Sequence, residues 1–161
     1  MAVDIFLKML PIKGESLDAK HKDEMQLLAW SWGMSQSGTT HEGTGGGAGK
    51  VSVQDLSLTK YIDAASPLLQ QACATGQHFD EATLVVRKAG GKDPLEYLKI
   101  KLEEILVTSV ATGGSGGEDR LTENVSLNFR KFTTTYTSQS AQGAAGTPVD
   151  FTYDIAANLE S

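Results

Sequence analysis

The chain has one cysteine, four prolines and three histidines among its 161 residues. A lone Cys73 excludes an intrachain disulfide, so folding needs no oxidising compartment. His21, His41 and His78 lie far apart, and none has a partner at metal-ligand spacing. No metal and no cofactor is therefore expected. Basic residues are also scarce, 14 against 20 acidic for a net charge of −6, and Arg87-Lys88 and Arg130-Lys131 are the only adjacent pairs. Nucleic-acid binding is excluded on that ground, because neutralising phosphates takes clustered Lys and Arg. No apolar run approaches membrane-spanning length, which argues against membrane insertion by a helix. The start, "MAVDIFLKML", carries Asp4 and no small-residue cleavage site, so it reads as a strand and not as a signal peptide. The length suits a single domain, 1–161, with its own core.

What the sequence does contain is period-two alternation. Val3, Ile5, Leu7 and Met9 share one face of a first strand, with Asp4 and Lys8 on the other. In "MQLLAWSWGMS" the large residues Leu28, Trp30, Trp32 and Met34 fall on one side, and Leu27, Ala29, Ser31 and Gly33 on the other. "VSVQDLSLTKY" changes phase between Val53 and Leu56, which predicts a bulge or sharp bend near Gln54-Asp55. Further strands read at "EATLVVRKA", "LEYLKIKLEEILVTSVAT", "ENVSLNFRKFTTTYT" and "VDFTYDI", and "GGKDP" reads as a hairpin turn. One segment differs. "SPLLQQACATG" predicts a short helix with Ser66 as N-cap, Pro67 in the first turn and Gly76 as the stop. Its apolar face would be Leu68, Leu69, Ala72 and Cys73, with Cys73 a small buried hydrophobe. The expected class is mainly β, an antiparallel barrel or sandwich with one short flanking helix and long glycine-rich loops at 37–50 and 112–118.

Two motifs invite a catalytic reading. "HEGTGGGAGKV" resembles a phosphate-binding loop, but G-x-x-x-x-G-K-[ST] requires glycine where Thr44 stands and a hydroxyl where Val51 stands. "GGSGG" matches the G-x-S-x-G elbow at Ser115, which makes a small hydrolase the alternative function. That elbow needs a helix after the serine and a histidine downstream, yet strand follows and the last histidine is His78. Glu103-Glu104 and Glu118-Asp119 read as solvated charges, not cation ligands. No catalytic residue is assigned, and the chain is not read as an enzyme.

"LAWSWGMSQSG", then "GKVSVQDLSLTKYIDAASPLL", then "VTSVATGGSGGEDRLTENVSLNF" together resemble the Hcp family, the haemolysin-coregulated proteins that build the tube of the bacterial type VI secretion system. The resemblance runs through essentially the whole chain. It implies a barrel that assembles as a hexameric ring, a homohexamer whose stacked copies form a hollow tube. Implied partners are secreted effector proteins in the lumen, the spike protein and the contractile sheath. The protein would sit in the cytoplasm during assembly and leave through the machine without a cleavable signal peptide. The chain stops soon after its last strand, which implies no toxin extension.

The alternation and the resemblance together assign surfaces. Trp30 and Trp32 demand burial, so Ser31, with Ala29 and Gly33, would face outward toward the lumen as the effector-binding candidates. Thr40, His41, Glu42, Thr44 and Lys50 are the inter-ring loop candidates. Glu118, Asp119 and Arg120 are the subunit-interface candidates, since both signs of charge occur within three residues.

Overall fold

The computed structural model describes residues 3–38 and 50–160. Its first strands are β1 (Val3–Lys8), β2 (Met25–Leu27), β3 (Ala29–Ser31), β4 (Met34–Ser35), β5 (Ser52–Val53) and β6 (Leu56–Tyr61). Helix α1 (Ser66–Thr75) follows, then β7 (His78–Lys88), β8 (Glu96–Gly113), β9 (Thr122–Tyr136), β10 (Val149–Asp154) and β11 (Leu159–Glu160). β2 and β3 are halves of one bent strand, joined at Leu28, whose N–H donates to the Thr59 carbonyl at 2.8 Å. Taken as one, they complete a circuit of six antiparallel strands among the described residues: β1, β2–β3, β6, β9, β8, β7 and back to β1. The expected barrel with one helix is what forms. β10 and β11 extend the sheet from the second half of β9, and β4 and β5 pair as a separate ribbon.

The barrel interior is filled as the alternation of β1 predicts, with Ile5, Leu7 and Met9 buried beside Leu56, Leu58, Leu84, Leu102 and Leu127. Each such side chain contributes about 1.5–3 kcal/mol on leaving water. Gln54 and Asp55 separate β5 from β6, where the phase change in the sequence predicts a bend. The second strand departs from its reading. Met25 and Leu27 are buried, so Leu27 does not share a face with Ala29. The bend at Leu28 shifts the phase, after which Trp30 and Trp32 pack against the core and Met34 ends up 45% exposed.

Helix α1 ends as expected at Gly76, whose φ of 70° suits glycine. Its start is different: the N-cap is Ala65, without a side-chain cap. Ser66 is recruited elsewhere. Its hydroxyl donates to Glu123 Oε1 at 2.6 Å and accepts from the Asp63 N–H at 2.9 Å. Leu69 and Ala72 are buried, whereas Leu68 is 42% exposed.

The long strands share one irregularity. At the same level β7, β8 and β9 each turn two consecutive residues outward: Asp80-Glu81, Glu103-Glu104 and Arg130-Lys131. Glu104 has a φ of 54°, the left-handed conformation that bends a strand. Leu102 and Phe132 face inward on one side of this crease, Ile105 and Phe129 on the other. Arg130 spans the crease to Glu104 at 3.2 Å and Asp154 at 3.4 Å.

Two charged networks tie the periphery to this frame. Lys60 and Glu123 lie directly opposite each other on β6 and β9, facing inward, and both are fully buried. Lys60 Nζ donates to Glu123 Oε1 at 2.6 Å, Asp63 Oδ1 at 2.7 Å and the Tyr61 carbonyl at 2.9 Å. The other Glu123 oxygen has no hydrogen-bond partner. The second network clasps the 13–24 segment onto the outside of β1 and β7. Phe6 faces away from the barrel yet is 1% exposed, because His21 stacks on it at 4.4 Å and the Arg87 guanidinium lies 5.0 Å from its ring. His21 Nδ1 meets Glu24 at 3.0 Å and Nε2 meets Glu96 at 2.7 Å. Arg87 binds Asp4 at 3.2 Å and also Asp18. The hydrogen bond from Arg87 outweighs burial and holds the Asp18 carboxyl at about 2, below its usual 3.8. Burial pushes Glu96 up, but the bonds from His21 and Lys99 outweigh it, and its pKa is lowered.

Two outcomes follow from these networks. Glu123→Ala removes one of the two carboxylates that hold the buried Lys60 ammonium and leaves Asp63 as its partner, so it should cost about 1.5–3 kcal/mol in urea denaturation. Lys60→Met instead strands the fully buried Glu123 and should cost about 3–5 kcal/mol. Asp18 binds its proton more weakly folded than unfolded, so its contribution to the clasp is fully present above about pH 4 and is lost as pH falls toward about 2. Limited proteolysis across that range should cut 13–24 first, and Asp18→Asn should weaken the pH dependence of that cut, leaving the part that follows Glu96.

Candidate functional site

The outward face of the barrel above the crease carries the residues in question. Opposite Trp30, Ala29 and Ser31 are exposed on β3, as the alternation predicts. The strand register joins Ser31 to Ser57 on β6, Ser57 to Ser126 on β9, and Ser126 to Ser109 on β8. The next rung runs Ala29, Thr59, Asn124 and Ala111 across the same strands. Thr59 donates to Asn124 Oδ1 at 2.8 Å. These two rungs hold small or uncharged polar side chains and not one charge, in a chain where 21% of residues are charged. The wall ends at Asp55, which accepts from Thr108 at 2.8 Å and Asn128 at 2.9 Å. Thr108 reaches it because the β8–β9 register slips between Val107 and Ser109.

Both sides of this four-stranded wall lack a further strand among the described residues. Pairing of β7 with β8 stops at His78–Leu106, which leaves β8 from Val107 to Gly113 without a strand on that side among the described residues. On the opposite side, β3 pairs with β6 alone among the described residues. Exposed edges of this kind seek another strand.

The remaining candidates distribute as follows. Gly33 lies just beyond β3, where its carbonyl accepts from the Gln54 N–H at 2.9 Å. Lys50 is exposed, and Thr40, His41, Glu42 and Thr44 lie outside the described residues. Glu118 and Asp119 are exposed in the turn between β8 and β9. Arg120 stacks over Tyr61 at 3.8 Å and borders a cavity of about 220 Å³ with Glu15 and Asp63. The three do not form a mutual cluster. Ser115 occupies a turn closed by the Glu118 N–H on its carbonyl at 3.2 Å. The hollow nearby is lined by Ala111, Thr112, Gly113, Gly114, Glu118, Thr122 and Asn124, and Ser115 takes no part in it. His21 has both ring nitrogens engaged by Glu24 and Glu96.

Ser57, Thr59, Ser109, Ala111, Asn124 and Ser126 escape a reading of single strands. Each strand shows only that alternate positions are mild. The signal lies in the register that lines those positions up, and register is set by pairing partners remote in sequence.

Comparison with known proteins fits this geometry. The family described as "Type VI secretion system effector, Hcp" matches residues 6–136. Protein hcp1 of Pseudomonas aeruginosa is 57% identical, with both chains covered completely. The crystal structure of Hcp1 from Salmonella typhimurium shares 40% identity and a TM-score of 0.81 with full coverage of both chains. A structure of a type six secretion system protein superposes with a TM-score of 0.93 at 30% identity, over 99% of this chain and 100% of that one. With the barrel, the helix and end-to-end similarity in agreement, this chain belongs to the Hcp family of type VI secretion proteins.

Proposed function

We propose that the chain is a tube subunit whose copies close into a six-membered ring, with the serine-rich wall facing the central passage. The observation that carries this reading is the pair of charge-free rungs across the outward side of β3, β6, β9 and β8, with no further strand on either side among the described residues. The four strands alternate in direction, so β3 of a second copy placed beside β8 continues the antiparallel order. An even number of strands per copy lets that alternation close around a ring of any size. Cyclic closure also removes the edges that would otherwise template aggregation. Hydroxyl, amide and methyl groups make short-range contacts without fixed charge, which suits a passage that carries effector proteins of differing charge.

In this arrangement Ser31 and Ala29 line the lumen, joined by Ser57, Ser109 and Ser126. The 37–50 loop, with Thr40, His41, Glu42, Thr44 and Lys50, reaches an adjacent ring as rings stack into a tube. Glu118, Asp119 and Arg120 meet a neighbouring copy and set its register. The tube, propelled with the spike by the sheath, leaves the cell with its cargo.

Ser31→Arg or Ser126→Arg places one cation per subunit on the wall, repeated around the ring. Light scattering should still give hexamers and negative-stain images should still show a central hole. Effector co-purification should fall at least tenfold. Normal cargo retention by a folded Ser31→Arg ring would remove the lumen assignment. A wild-type monomer would remove the ring itself.

A further inference from the structure

The β10 strand carries a second surface, distinct from the wall. Val149 faces the same way as its partner Tyr136, and Phe151 the same way as its partner Thr134. This is the inward side of the barrel continued past its mouth, where β6 no longer covers it. Val149 is 69% exposed, Tyr136 50%, Met34 45% and Phe151 41%. Beside Met34 and Phe151 a cavity of about 200 Å³ runs between Val51, Val53, Phe132 and Tyr153, with Gln36 and Asn158 at its edge. The aromatic rings behind the patch are locked edge to face, Phe132 on Phe151 at 5.8 Å and Trp32 on Phe132 at 4.8 Å. A contiguous apolar face on a preformed support is the signature of a protein interface.

The topology places this patch. β9 has β8 along one edge, and along the other β6 at its start and β10 at its end. The patch therefore lies on the β3 flank, and Met34 of β4 belongs to it directly. On the opposite flank α1 packs against β8. Its outward positions, Pro67, Leu68, Gln70, Gln71, Ala74 and Thr75, are exposed and include no charge. Exposed helices in an acidic chain normally carry Lys and Glu on that side. Two charge-free surfaces thus occupy opposite flanks of one molecule, which is what a head-to-tail contact between identical copies requires.

We infer that the Tyr136–Val149–Phe151 face of one copy receives the outer face of α1, centred on Leu68, from the next copy. The inference rests on the ring reading, since placing β3 beside the next copy's β8 brings these two flanks together. Its energetics differ from those of the wall. The strand edges supply register through backbone bonds, whereas this contact supplies apolar burial.

The test compares Val149→Glu/Phe151→Glu, Leu68→Glu and, on the opposite face of the same strand, Asp150→Arg. Circular dichroism reports folding and light scattering reports mass. The first two variants should run as folded monomers of about the chain's 17.1 kDa, and Asp150→Arg should stay a ring. A ring from either of the first two overturns the contact while leaving the ring reading intact. A wild-type monomer defeats the ring reading instead. Should the glutamates unfold the chain, Leu68→Cys/Val149→Cys on a Cys73→Ala background replaces them. Oxidation should then give a ladder of disulfide-linked copies, and its absence from assembled rings overturns the contact.

Discussion

The crease across β7, β8 and β9 is the constraint on which the other surfaces depend. A period-two strand cannot present apolar side chains inward at both of its ends if the sheet bends between them, unless the alternation resets. Here it resets at one level in three neighbouring strands, with Asp80-Glu81, Glu103-Glu104 and Arg130-Lys131 outermost. The reset takes one left-handed residue, Glu104, and places charges where the sheet is most convex and best hydrated. On one side of the crease the outward positions of β8 and β9 become Ser109, Asn124 and Ser126. On the other side the inward positions continue as Ile100 and Leu98, opposite Thr134 and Tyr136, until they outrun the barrel. The apolar patch follows from this phase shift directly, whereas the wall also needs the further slip between Val107 and Ser109 that turns Ser109 outward.

Much of the fold was legible because its signals are local. The alternation of β1, the phase change before Leu56, the hairpin at "GGKDP" and the stop at Gly76 each depend on residues within a few positions of one another. The failures share a cause too. Ser66 looks like an N-cap until Glu123, 57 residues away in sequence, takes its hydroxyl. Leu27 looks like a partner of Ala29 until the pairing changes from β1 to β6 at Leu28. Phe6 sits on what reads as the polar face of β1, and only the folded-back 13–24 segment buries it. Ser31 was legible as an outward residue from the tryptophans beside it, but the rung it heads was not.

Membership of the Hcp family constrains the interpretation of open edges. A barrel is ordinarily a device for eliminating them, and six strands here do close. Yet β8 outlasts its pairing with β7, and β3 pairs only with β6 among the described residues. A free monomer gains nothing from such overhangs. They become useful if four strands of each copy form an uninterrupted sheet with those of its neighbours. That makes the polar wall continuous and free of gaps.

The distribution of charge points the same way. Lys60, Glu123, Arg87, Asp18, His21 and Glu96 all find opposite-signed or hydrogen-bonding partners within the chain. These pairs fasten α1 and the 13–24 segment to the barrel from inside and outside. The surfaces left without charge are the wall, the outer face of α1 and the apolar side of β10. Desolvating a lone charge at an interface is costly, and fixed charge along a passage would discriminate among cargoes. On the proposed ring reading, a subunit that meets copies of itself and admits unrelated proteins has reason to keep its ions away from both places. The networks that hold the fold together also keep these charges off the wall, the outer face of α1 and the apolar side of β10.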